Sequence, residues 1–129
     1  IAVVFLGSGL GGVCRYIISR AVQSGASASL FPWGTFVVNV AGCFLIGLFY
    51  GLFDRFVPAG SDGVGLMSPQ LRLLLTVGFC GGFTTFSTFI NENHLLFQSS
   101  NLPLVIAYMA LSLIVGLLLL YAGYFLSRL

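Results

Sequence analysis

The residues of this chain most able to do chemistry lie together in one apolar stretch. From Gly78 it reads Gly78-Phe79-Cys80-Gly81-Gly82-Phe83-Thr84-Thr85-Phe86-Ser87-Thr88-Phe89, and Ile90-Asn91-Glu92 follow. Two adjacent glycines ahead of two β-branched threonines make a weak helical segment, so a broken helix is expected near Gly81 to Thr84. At bilayer depth a break is tolerated only where protein or water covers the freed backbone groups, and freed carbonyls can hold a cation. Beyond the break, helical spacing puts Thr84, Ser87, Thr88 and Asn91 along one strip, with Phe79, Phe83, Phe86 and Phe89 along another. Core or lipid contact would explain the rings alone, and bonding back to a carbonyl one turn earlier would explain the hydroxyls alone. Beside a glycine break and the intramembrane carboxylate of Glu92, a polar path is the better reading.

Other spans carry polar groups that need a partner or a purpose. Asn39 stands near the middle of the second apolar run, where an unpaired buried amide costs roughly 1–3 kcal/mol. It suits either a clamp between helices or a binding role. Arg15 is more costly still and is expected to snorkel, to pair with a carboxylate or to face an aqueous vestibule. Tyr108 and Ser112, four residues apart, add two hydroxyls to the same path. Cys14, Cys43 and Cys80 are odd in number, form no CxxC pair and read as small packing residues. His94 has no second ligand or nucleophile near it in sequence, which leaves an enzyme as the least supported class.

The elements that must position these groups follow from composition. The chain has 129 residues, 58% of them apolar and only 6% charged, against about 25% charged in a soluble domain. A soluble globular protein is excluded, because such a composition cannot coat a water-facing surface. A net charge of +2 from five arginines and three acids is too small and scattered for nucleic acid. At about 20 residues per crossing the chain holds about four helices, so the expected fold class is an all-α membrane protein with four transmembrane helices in a single domain. The spans fall at about residues 1–21, 33–53, 69–97 and 102–126, the third broken near its centre. The first lacks a basic leader and carries Arg15 well inside, so it is expected to remain as a helix. Gln23 to Ser27 and the glycine-rich stretch Asp54 to Ser68 are connections, and Pro103 opens the fourth span.

Glycines recur four apart, Gly7 with Gly11, Gly47 with Gly51 and Gly78 with Gly82, a spacing that lets helices approach closely in lipid. The run Leu117 to Leu120 reads as lipid-facing helix. If all four spans cross, Arg20 lies on one side and Arg55, Arg72 and Arg128 on the other, a bias too weak to exclude either orientation. The two halves do not repeat, so an inverted pair of halves would need a second copy.

The sequence resembles the Fluc family of small bacterial fluoride channels through all four spans. The matching stretches are Gly11-Gly12-Val13-Cys14-Arg15-Tyr16, Pro32-Trp33-Gly34-Thr35-Phe36-Val37-Val38-Asn39-Val40-Ala41-Gly42, and above all the Gly78 to Phe89 motif. The resemblance implies an antiparallel dual-topology homodimer in the bacterial cytoplasmic (inner) membrane, with two fluoride pores at the subunit interface. It implies a structural sodium ion on the dimer axis, held by the backbone carbonyls of Gly81 and Thr84. The pore phenylalanines fall on Phe86 and Phe89, the pore asparagine on Asn39, and the polar track on Ser87, Thr88, Tyr108 and Ser112. Glu92 matches a family glutamate, while Gly116 stands where some relatives carry another serine.

Fluoride holds its water tightly, so a pore must replace that water with converging donors. Phenyl rings turned edge-on can line such a path without the trap that a buried arginine would form. Glu92, if ionised, would repel fluoride and is expected near an entrance or bonded to neighbouring donors. Two rivals remain: a proton-coupled small multidrug exporter, disfavoured because the first span carries no acid ahead of Arg15, and a noncatalytic membrane assembly subunit.

Overall fold

The computed structural model describes residues 1–25, 31–56 and 69–128. The connection expected over Asp54 to Ser68 lies mostly outside the described residues, as does the side chain of Arg55. Helices α1 (Ala2–Gly25) and α2 (Trp33–Phe56) are continuous. The third span begins as α3 (Pro69–Leu73), widens into a π-helical stretch (Leu74–Cys80) and tightens again in α4 (Gly81–Phe83). It then breaks and resumes as α5 (Ser87–Gln98), and α6 (Leu102–Ser127) follows. Among the described residues four helices are long and apolar enough to cross a membrane, over Ala2–Gly25, Trp33–Phe53, Gln70–Gln98 and Leu102–Ser127.

Glycine decides how these helices meet. A Cβ on Gly7 would sit 2.7 Å from the Leu74 carbonyl and 2.9 Å from the Gly78 Cα, and one on Gly11 would strike the Phe79 carbonyl. Helix α1 therefore runs parallel to the first half of the third span with backbones in contact. A Cβ on Gly47 would meet the Leu120 carbonyl, and one on Gly51 the Tyr124 carbonyl and the Ser127 hydroxyl, so α2 lies parallel to α6. The two pairs join where Gly34 of α2 faces Ser19 of α1. All three glycine pairs read from the sequence are used in this way, because lipid supplies no hydrophobic drive and close approach must do the work.

The break falls later than expected. Gly81 and Gly82 are helical, Gly82 being pressed against Ser8 of α1. The chain becomes extended only at Thr84, with φ −87° and ψ 161°. Packing on α1 keeps the glycines wound, and the unwinding is set by a side chain of α2 described below. The break also resets the helical phase, so the two strips do not persist. Phe79 and Phe83 stack at 5.6 Å before it, whereas Phe86 is 74% exposed and Phe89 only 8%. On α6, Leu117 and Leu118 face outward as expected, but Leu120 packs on Gly47.

Candidate functional site

The site forms where α2 crosses the broken span. Asn39 holds the break with two reciprocal bonds: its Nδ2 donates to the Thr85 carbonyl at 2.9 Å, and the Thr85 amide donates to its Oδ1 at 2.8 Å. In a continuous helix the Thr85 amide would bond to the Gly81 carbonyl, one α-turn back. The Asn39 side chain has taken that amide, so the Gly81 carbonyl loses its helical partner. Likewise the Thr88 amide, the helical partner of the Thr84 carbonyl, bonds to Thr85 Oγ1 at 3.3 Å instead. The Thr84 hydroxyl bonds back to the Cys80 carbonyl at 2.9 Å. Both carbonyls named as sodium ligands from the resemblance are thus among those the break releases, and Gly81 is exposed.

Asn39, Thr84, Thr85, Phe86 and Phe89 line one cleft of about 400 Å³, closed from the α6 side by Ser112 and Leu113. The Ser112 hydroxyl is buried and finds no hydrogen-bond partner among the described residues. Because Oδ1 of Asn39 is fixed by a backbone donor, its amide orientation is determined, and its second N–H remains available. Phe86 and Phe89 sit 6.0 Å apart at an interplanar angle of 43°, and Phe89 meets Tyr108 edge-on at 4.8 Å.

A second cleft of about 170 Å³ is lined by Arg15, Tyr16, Ser19, Thr35, Thr85 and Thr88. Arg15 thus faces a small polar pocket with four hydroxyl-bearing side chains besides Tyr16. Glu92 does not line it but bonds to one of its lining residues: its two oxygens accept from Thr35 Oγ1 at 3.0 Å and from Tyr108 OH at 2.9 Å, tying α5 to α2 and α6. Glu92 also borders a third cleft of about 350 Å³ with Gln23, Pro32 and Ser99.

The structure therefore brings Asn39, Phe86, Phe89 and Ser112 together and places Thr88 on the Arg15 side. Tyr108 is fully buried with its hydroxyl given to Glu92, and it does not line the large cleft. Ser87 is exposed and lines neither cleft. Sequence spacing does not single out Thr35 or Thr85 as lining residues, and Cys43, read from sequence as a small packing residue, borders the large cleft. A threonine next to a break was the available signal for Thr85. Asn93, rather than Asn91, is the buried asparagine of α5, donating to the Phe89 carbonyl at 2.9 Å.

Four apolar spans, one of them interrupted beside a largely apolar cleft that carries a few uncharged polar groups, define a small polytopic membrane protein. Residues 2–124 match the family described as CrcB-like protein, Camphor Resistance (CrcB), and the chain belongs to that family. A fluoride-specific ion channel FluC of Bacteroides fragilis is 44% identical over 127 residues, covering 97% of this chain and 93% of that protein. FluC proteins of Phocaeicola vulgatus and Flavobacterium psychrophilum are 42% and 38% identical over 125 residues, each covering 97% of this chain and 95% and 94% of theirs. These relatives are named as ion channels, not as enzymes.

Proposed function

We infer that the chain forms a fluoride-selective channel that exports fluoride by passive electrodiffusion. The observation that carries this reading is the cleft under Asn39, where the donors left over are uncharged and the walls are phenyl rings. Asn39 keeps one N–H and Ser112 keeps its O–H, both beside Phe86 and Phe89. Neutral donors can replace part of the water of a small anion without binding it so tightly that it cannot leave. The names of the relatives point to the same ion.

The cleft is half a site. Gly81, Phe86, Ser87, Thr88 and Asn91 are exposed on a segment that spans the bilayer, and lipid does not satisfy polar groups. A second copy inserted upside down covers them and completes two pores along the interface. Tyr16 with Arg20 and Tyr124 with Arg128 support insertion either way. In each pair the guanidinium bonds to the phenol, at 3.2 and 2.8 Å, at the C-terminal ends of the antiparallel helices α1 and α6. Each face of the bundle thus carries a similar interfacial anchor.

The released carbonyls of Gly81 and Thr84 fit a sodium ion on the dimer axis, two neutral oxygens from each copy. Such an ion would tie the copies together and add positive potential beside the pores. The membrane is the bacterial inner membrane. The test is a fluoride-electrode efflux assay on purified protein in liposomes, with chloride as control. Rapid fluoride release without chloride release is expected. Proton flux driven by organic cations, without fluoride release, would favour the exporter instead.

A further inference from the structure

Among the residues lining the large cleft and the Arg15 cleft, Thr85 alone is common to both. It borders the larger one with Asn39, Ser112, Phe86 and Phe89, and the smaller one with Arg15, Ser19, Thr35 and Thr88. Its backbone is held on both sides, because its amide and its carbonyl are each bonded to Asn39, at 2.8 and 2.9 Å. A β-branched side chain on a pinned backbone has little rotational freedom, so the hydroxyl stays in the wall between the clefts.

That hydroxyl accepts the Thr88 amide at 3.3 Å. A hydroxyl has one donor and two acceptor positions, so accepting a bond leaves its proton free to donate. The neighbouring Thr84 cannot play this part, since its own proton is committed to the Cys80 carbonyl at 2.9 Å. The clefts also differ in charge. Arg15 brings a full positive charge to the small one, while the large one offers only neutral donors. An anion gathered beside a guanidinium is held by charge and leaves readily only if a donor reachable from both sides shares it during the move.

We propose that Thr85 is the transfer residue, its O–H passing fluoride between the Arg15 cleft and the cleft under Asn39. The proposal rests on the fluoride-channel reading above. Thr85→Val keeps the side-chain shape but removes both the donor and the acceptor of the Thr88 amide, Thr85→Ser keeps both, and the transfer role differs from a structural one in predicting a fall in maximal rate with half-saturation unchanged. Efflux from liposomes is measured as a function of internal fluoride for both variants and the parent.

The maximal rate of Thr85→Val should fall by about tenfold or more, the scale of one lost hydrogen bond in a barrier, while half-saturating fluoride stays within about twofold because Arg15 still gathers the ion. Thr85→Ser should stay within about threefold of the parent. A Thr85→Val rate close to the parent's, a Thr85→Ser rate as low as that of Thr85→Val, or a large shift in half-saturation would overturn the assignment. If Thr85→Val does not remain monodisperse, Thr85→Cys decides: its weak S–H donor predicts a rate between those of the serine variant and zero, and a parental rate overturns the proposal. A parent that releases no fluoride overturns the channel reading itself, whereas a conducting parent beside a fully conducting Thr85→Val overturns only the role of Thr85.

Discussion

The two halves of the third span are held by different forces. From Pro69 to Phe83 it lies against α1 with little between the backbones, Gly7 against Gly78 and Gly82 against Ser8. From Ser87 onward it packs Phe89 and Leu96 against Val105 and Tyr108 and adds polar ties, with Glu92 bonded to Thr35 and Tyr108, and the turn before it bonded to Asn39. Contact between backbones is sensitive to volume and indifferent to polarity, whereas a polar tie is the reverse. The first half is thus a fixed post, and the second is a displaced arm whose outer face, at Ser87, Thr88 and Asn91, is exposed.

The largest effect expected from this contrast is on the post. Gly11→Leu would drive a side chain into the carbonyl of Phe79 and the amide of Phe83, both backbone. Overpacking of this kind costs about 3 kcal/mol or more, so the variant should fail to elute as a monodisperse species in size-exclusion chromatography. Parental elution would remove the basis for the contrast. On the arm, Asn39→Leu keeps the volume but orphans the amide and the carbonyl of Thr85. A buried orphan costs about 1–3 kcal/mol, so a loss of about 2 kcal/mol in unfolding free energy and a collapse of fluoride efflux are expected together.

A smaller effect is expected at the outer tie. Glu92→Gln leaves one oxygen where two accept hydroxyls, so either Thr35 or Tyr108 must turn its proton elsewhere. Thermal unfolding should report a loss of about 1 kcal/mol. At Phe86→Ile the two readouts should separate: the ring is 74% exposed in one chain, so stability should change by less than about 0.5 kcal/mol while fluoride efflux falls markedly. Equal efflux in Phe86→Ile and the parent would detach this ring from the conduction path.

Much of the post was legible in the sequence, and less of the arm. Composition alone demands four spans, and glycines four apart announce where helices touch, because both are local signals. The break was read near Gly81 to Thr84 from the two glycines and two threonines; it opens at the far end of that stretch, at Thr84, since the group that captures the Thr85 amide belongs to Asn39 on another helix. The π-helical stretch Leu74–Cys80 has no local signature in these residues. Spacing offered Tyr108 as a donor lining the path, yet its hydroxyl answers to Glu92, sixteen residues earlier. Helical phase was carried through an interruption that does not preserve it, which is why Phe79 and Phe83 stack together before the break while Phe86 and Phe89 meet each other in the cleft beyond it.

The account stands most directly on Ser112. A buried hydroxyl with no partner burdens the fold unless an ion uses it. Fluoride efflux and thermal unfolding of Ser112→Ala, measured side by side in the same lipid, separate these roles. The account predicts unfolding at the parental temperature or above it, with fluoride efflux reduced about tenfold, the scale of one donor lost from the path. Undiminished efflux from an equally stable Ser112→Ala protein would contradict it.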